Sequence, residues 1–158
     1  KNGLSASEIG DWLEETRFDS SIYITVATLK FLKQGGRITP AAAAIGTMLR
    51  LKPVLQIQGE KLDAFSKART MIQAKNTMIR DDIANRFGEK INLDVIHSHN
   101  LAAAEEFRKE TLANFPNIGE INIFPLSLSV SCHIGPGSLA IAMSKKIDIE
   151  AERKRYGL

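Results

Sequence analysis

The sequence predicts an α/β fold, a two-layer lobe in which a mixed sheet of about six strands packs against helices. Short segments in which apolar and polar residues alternate are interspersed with longer segments of helical spacing. One stretch over about 91–126 has the order strand, helix, strand. The 158 residues show neither an internal repeat nor a low-complexity linker, so we expect a single domain over residues 1–158. The periodicity does not tell whether helices cover one face of the sheet or both.

Cap and turn residues divide the chain into elements. Ser5 or Ser7 can cap a helix, Gly35-Gly36 can end one in the left-handed conformation, and Pro40 suits the first turn of the next. We predict helices over about 6–16, 28–34, 40–50, 69–87 and 100–113, and strands over about 22–26, 54–57, 62–65, 91–97, 120–126, 127–133 and 138–144. The helix over 69–87 carries one apolar stripe, made of Ile72, Ile79, Ile83 and Phe87. The charged tail from Asp148 is expected to be helical or frayed.

Composition excludes several classes of protein. The net charge is only +3, basic residues are spread along the chain and 6% of residues are aromatic, so we expect no nucleic-acid partner. Cys132 is the single cysteine, which excludes an internal disulfide and favours the cytoplasm. No apolar run approaches the ~20 residues of a membrane span. Because the chain starts without an initiating Met, we expect it to be a piece of a longer protein.

The stretch 126–133 is the most informative for function. Its residues alternate strictly, which predicts a strand with an apolar face and a face of serines that ends in a histidine. The apolar face consists of Leu126, Leu128, Val130 and Cys132, and the other face consists of Ser127, Ser129, Ser131 and His133. Gly135-Pro136-Gly137 follows as a tight turn whose glycines permit close backbone approach. A histidine beside such a turn can hydrogen-bond an anionic head group such as a carboxylate. The alternative is a histidine that is hydrogen-bonded locally at a strand end.

Two arginines and a run of small residues form further candidates. Arg37 follows Gly35-Gly36, and Arg69 lies beside Lys67; the planar guanidinium suits a carboxylate or phosphate, although a lone arginine is more often an exposed charge. The helix over 40–50 begins with alanines and carries Gly46. Small residues either permit close helix–sheet packing or leave a slot for a ligand, and close packing is the commoner reason.

A metal or hydrolytic enzyme is the first rival interpretation. His97 and His99 face the same side of a predicted strand, and zinc would need further ligands, for which Cys132 and His133 are the available residues. No recognised metal spacing is present, and no Gly-x-Ser-x-Gly elbow supports a nucleophilic serine. We therefore expect no metal site. A structural or dimerisation module is the second rival.

Three segments of the chain stand out together: Tyr23–Ile38, which continues through Ile45-Gly46 to Leu51–Leu55; Lys67–Thr70; and His133–Gly137. Together they resemble the DegV family, whose members bind fatty acids. Their order and spacing match the family from about Leu4 to Ile147. The resemblance implies that this chain is the second, C-terminal lobe of a two-lobed protein whose first lobe is absent. It also implies that the fatty-acid carboxylate lies between the lobes and the acyl tail inside this one.

The resemblance also implies a role for particular residues. His133 matches the histidine near the carboxylate, with Gly135 and Gly137 in the same head-group turn. Arg37 and Arg69 match arginines at the pocket mouth that handle phosphate or dock a partner. That partner is a separate fatty acid kinase, which makes an acyl phosphate for phospholipid synthesis, so this chain is expected to perform no bond chemistry and to need no cofactor. Since a close-packed lobe has no slot for a tail, we expect helix 40–50 to line one, with Ile45 and Leu49 touching the tail.

Overall fold

The computed structural model describes residues 3–45, 52–58, 61–81, 91–116 and 118–157. The strands are β1 (Ser20–Thr25), β2 (Lys52–Gln58), β3 (Lys61–Ala68), β4 (Ile91–His97), β5 (Ile121–Pro125) and β6 (Leu139–Lys145). They form a six-stranded sheet in the order β3-β2-β1-β6-β4-β5. β4 and β5 are parallel, and the other neighbouring strands are antiparallel. The predicted α/β fold with a mixed sheet is therefore confirmed.

Helices connect these strands and extend the lobe at both ends. They are α1 (Ala6–Thr16), α2 (Lys30–Gln34), α3 (Pro40–Ile45), α4 (Met71–Asp81), α5 (Leu101–Asn114), α6 (Leu128–Ile134) and α7 (Ile149–Arg155). The predicted cap of α1 is Ser5, whose hydroxyl accepts from the Glu8 amide while the Glu8 carboxylate accepts from the Ser5 amide. Within the described ranges, no helix is long and apolar enough to cross a membrane.

The sheet buries apolar side chains on both of its faces. Tyr23 belongs to the larger core, with α4 and α5 packed over it, whereas its neighbour Ile24 belongs to a smaller core. Leu32 of α2 and Ile134 of α6 complete that smaller core. Successive side chains on a strand point to opposite faces, so helices cover both sides. The short helices α2 and α6 thus add a partial third layer to the two layers expected.

The predicted strand over 127–133 is wrong, because these residues form α6. The amides of Ser131 and Gly135 donate to the carbonyls of Ser127 and Ser131, four residues earlier in each case. The serine hydroxyls predicted on one face of the strand, and the Cys132 thiol predicted on the other, bond locally instead. The Cys132 thiol, for example, lies 3.1 Å from the Ser129 carbonyl. Leu126, Val130 and Ile134 are spaced four apart, so a helical period was also present in the sequence.

Two predicted helices continue beyond what the structure describes. Of the helix over 40–50, Pro40–Ile45 is seen as α3, and Gly46–Arg50 lie outside the described residues. Of the helix over 69–87, Met71–Asp81 is seen as α4. Its predicted stripe is correct at Ile79, which is buried, and wrong at Ile72, which is 62% exposed. Ala74 and Met78 occupy the inward positions instead, while Ile83 and Phe87 lie outside the described residues.

Candidate functional site

The turn that follows α6 is fixed by hydrogen bonds to its own helix and to the sheet. Gly135 has a φ of +79° and donates its amide to the Ser131 carbonyl at 2.8 Å, which ends the helix. The buried Ser138 hydroxyl donates towards the carbonyls of Ile134 and Gly135. Gly137 donates its amide to the Ser98 carbonyl at 2.8 Å. Both glycine amides are thus used within the protein, and the glycines shape the site through their lack of a side chain.

His133 lies where α6 meets the end of α2. A Cβ atom built on Gly35 would be only 2.9 Å from the Nδ1 of His133, so the imidazole occupies the space that a side chain would take. In the reverse direction, a Cβ built on Gly135 would be 2.4 Å from a ring carbon of Phe31. Each helix therefore presents a glycine to a ring of the other helix. Because α2 precedes Arg37 and α6 carries His133, this contact unites two residues that the sequence predicted.

Arg37 brings positive charge to the same place. Its Nη1 donates to the carbonyl of Gly35 at 3.1 Å. The His133 ring rests against this same glycine. Within the described part of the chain, no Asp or Glu pairs with Arg37 and no residue hydrogen-bonds the His133 ring. Arg37 is exposed and His133 is half-buried. The arrangement can therefore offer donors from both side chains to an anion at the edge of the lobe.

Arg69 is not brought to this site. The Arg37 carbonyl accepts from the Leu62 amide near the beginning of β3, whereas Arg69 directly follows the end of β3. The strand between these positions spans roughly 20 Å. Arg69 is exposed, and its amide donates to the Gln73 side chain at the start of α4. The two arginines therefore cannot hold one head group together.

The remaining candidates are separate from the His133 site or only partly described. Ile45 ends α3, but its side chain and the whole of Leu49 lie outside the described residues. His97 is buried at the end of β4, and its Nδ1 accepts from the Asn100 amide at 3.1 Å. Within the ranges that the structure describes, no group of three or more His, Cys, Asp or Glu side chains could hold a metal ion.

Sequence reasoning missed the residues that assemble the site. Phe31 was read as part of a short helix, and Gly35 only as its end, although both contact α6. Ser98 and Ser138 had no assigned role, yet they hold the turn around Gly137 and Gly135. The available signal in the sequence was that each of these two segments carries both a glycine and a residue with a ring. It becomes meaningful only when the two helices are known to touch.

The fold and this edge define an α/β lobe that carries a histidine and an arginine against the same glycine, Gly35. The chain belongs to the DegV family, since the family model described as "Uncharacterised protein, DegV family" matches residues 1–146. Among its relatives, a DegV domain-containing protein of Clostridium perfringens is 31% identical over 144 residues, 89% of this chain and 49% of that protein. Protein DegV of Bacillus subtilis is 31% identical over 144 residues, 89% of this chain and 50% of that protein.

Solved structures of the family give the same result. A fatty-acid-binding DegV family protein from Thermus thermophilus is 32% identical with a TM-score of 0.80, over 91% of this chain and 52% of that one. A fatty-acid-binding DegV family protein from Streptococcus agalactiae is 25% identical with a TM-score of 0.79, over 92% of this chain and 51% of that one. The chain thus spans about half the length of the relatives and structures it matches.

Proposed function

We propose that this chain is the acyl-holding lobe of a fatty-acid-binding protein. The observation that carries the proposal is the meeting of His133 and Arg37 at Gly35, which places two donors at one edge of the lobe. A carboxylate accepts such donors well, since charge-assisted hydrogen bonds are stronger than neutral ones. The relatives described as fatty-acid-binding proteins support this choice of anion.

In this proposal the acyl tail runs into the lobe and the carboxylate stays at its edge. The helix that begins at Pro40 packs against β3, and we place the tail along it, with Ile45 and Leu49 as lining residues. The first lobe, which we infer from the doubled length of the relatives, would close over the carboxylate. A separate fatty acid kinase would then convert the carboxylate to an acyl phosphate for phospholipid synthesis. The chain itself would perform no bond chemistry.

Lipid extraction tests the ligand, and a histidine variant tests the site. Organic extraction of the purified full-length protein followed by mass spectrometry should recover a fatty acid in near-stoichiometric amount. His133→Ala should then weaken the binding of added hexadecanoic acid by about 1–3 kcal/mol, the scale for losing a hydrogen bond to a charged group.

The matched control is His99→Asn. His99 is exposed and has a φ of 50°, which asparagine tolerates better than most residues. The His99→Asn protein should bind hexadecanoic acid with the same affinity as the parent protein. Recovery of no fatty acid would contradict the proposed ligand. Equal affinity of the His133→Ala and His99→Asn proteins would contradict the proposed head-group site.

A further inference from the structure

Phe31 of α2 contacts the end of α6. The ring stands against Gly135, where a Cβ would lie 2.4 and 2.6 Å from two ring carbons. No other residue type than glycine could hold the backbone this near to the ring, and the φ of +79° adds to that requirement. The half-buried ring therefore fills the gap between the two helices.

Gly35 lies one helical turn beyond Phe31, and its amide donates to the Phe31 carbonyl at 2.9 Å. Positions four apart share a face of a helix, so the surface of α2 that meets α6 includes the Phe31 ring and, one turn later, the bare backbone at Gly35. His133 stands against that backbone, two residues before Gly135. The gap that the Phe31 ring keeps open at Gly135 thus sets how closely His133 approaches Gly35.

The end of α6 is also held by Ser138 and by the smaller core. Ser138 bonds to the carbonyls of Ile134 and Gly135, and the Ile134 side chain is buried in the smaller core together with Leu32 of α2. These contacts hold the α6 end in place, and the Phe31 ring adds the contact at Gly135, two residues after His133. We propose that Phe31 is a positioning residue that orients the imidazole of His133 for the head group. This inference rests on the proposed function, because it assigns His133 to the ligand.

A double-mutant comparison in the full-length protein tests the inference. Phe31→Ala should raise the Kd for hexadecanoic acid by about three- to tenfold. Because Phe31 acts through His133, its effect should not exceed that of His133→Ala, and adding Phe31→Ala to His133→Ala should change the Kd no further. Phe31→Tyr keeps the aromatic ring, so this variant should bind hexadecanoic acid with the parent affinity. If Phe31→Ala fails to fold, Phe31→Leu takes its place.

Phe65→Ala is the matched control, since Phe65 is also a partly buried aromatic residue but packs on Tyr23 in the larger core. The NMR signals of the His133 ring in lipid-free protein should shift in Phe31→Ala and stay unchanged in Phe65→Ala. Additive losses from Phe31→Ala and His133→Ala, or an unmoved His133 signal, would overturn the positioning role. If His133→Ala leaves the Kd unchanged, the head-group assignment fails, and the NMR comparison still decides whether Phe31 positions His133.

Discussion

Replacing Gly35 by alanine should displace the His133 ring while leaving the fold in place. The added methyl carbon would lie 2.9 Å from the Nδ1 of His133, 3.4 Å from the Phe31 carbonyl oxygen and 3.7 Å from the Cγ of Arg37. Ordinary contacts lie near 3.5–4.0 Å, so the imidazole must move by about 0.6–1 Å. Gly35 has a φ of −82° and a ψ of −4°, a conformation that alanine adopts freely.

The expected change in stability is small because two effects oppose each other. Alanine restricts the unfolded chain and thereby stabilises the protein by about 0.4–1 kcal/mol. Overpacking costs typically about 1–3 kcal/mol, and the lower end applies here because His133 is half-buried and its ring can swing. The free energy of unfolding should therefore change by no more than about 1–2 kcal/mol. The affinity for a fatty acid should fall by about 1–3 kcal/mol, as for loss of the His133 hydrogen bond.

Isothermal titration with hexadecanoic acid and thermal unfolding of the same full-length samples would separate the two quantities. Gly10→Ala and Gly119→Ala are the controls. Gly10 lies in α1 with open space around it, so alanine should stabilise the protein. Gly119 has a φ of +91°, so alanine at this position should destabilise the protein without changing the His133 site. Parent-like affinity in Gly35→Ala, or equal losses in Gly35→Ala and Gly119→Ala, would refute the link between the His133 position and binding.

Two further predictions concern charges. Arg69→Ala should retain lipid with parent affinity but slow phosphorylation of the bound fatty acid by the proposed kinase on the order of tenfold. Arg37→Ala should slow the same reaction and also weaken fatty-acid binding, because it removes one of the two proposed head-group donors. Because the two arginines lie at opposite ends of β3, the double variant should show the product of the two effects on the rate in a kinase assay. Parent affinity in Arg37→Ala, or weakened binding in Arg69→Ala, would contradict these roles. Glu110→Gln removes the carboxylate that lies 2.6 Å from the buried Lys75 ammonium. It should therefore lower the free energy of unfolding by about 1–3 kcal/mol. A chemical denaturation midpoint equal to the parent's would show that Lys75 finds another partner.

Local patterns of apolar and polar residues predicted most of the fold. They failed over residues 127–133, where the alternation of a strand and the four-residue spacing of a helix are both present. The strands from Ile91–His97 and Leu139–Lys145 were predictable because their alternating residues face two different environments. Residues 127–133 alternate just as strictly, but the outcome there depends on contacts that the segment makes elsewhere. Ile134 must reach the smaller core and Gly135 must pass Phe31, and a helix satisfies both. Over seven residues, periodicity alone does not separate the two structures.

The candidate site shows the same division. His133 and Arg37 were identified from their residue types and their glycine-rich neighbours, and the structure brings them to one place. Arg69 was grouped with Arg37 by resemblance, although β3 separates them. Phe31 carries no chemical signal of its own, because an apolar residue in a short helix is usually part of a core. Its contact with Gly135 depends on the packing of α2 on α6, which the local sequence does not encode.

The strand order has a consequence for how the protein is made. β6 is the last strand of the sheet along the chain, yet it pairs with β1 on one side and β4 on the other. During synthesis, β1 to β3 can form an antiparallel meander and β4 with β5 a parallel pair. Among the described residues, these two parts of the sheet are joined by strand pairing only through β6, so they come together only after β6 leaves the ribosome. Such distant pairing is slow and leaves strand edges open. Since α6 also comes late, the His133 edge is completed among the final events of folding.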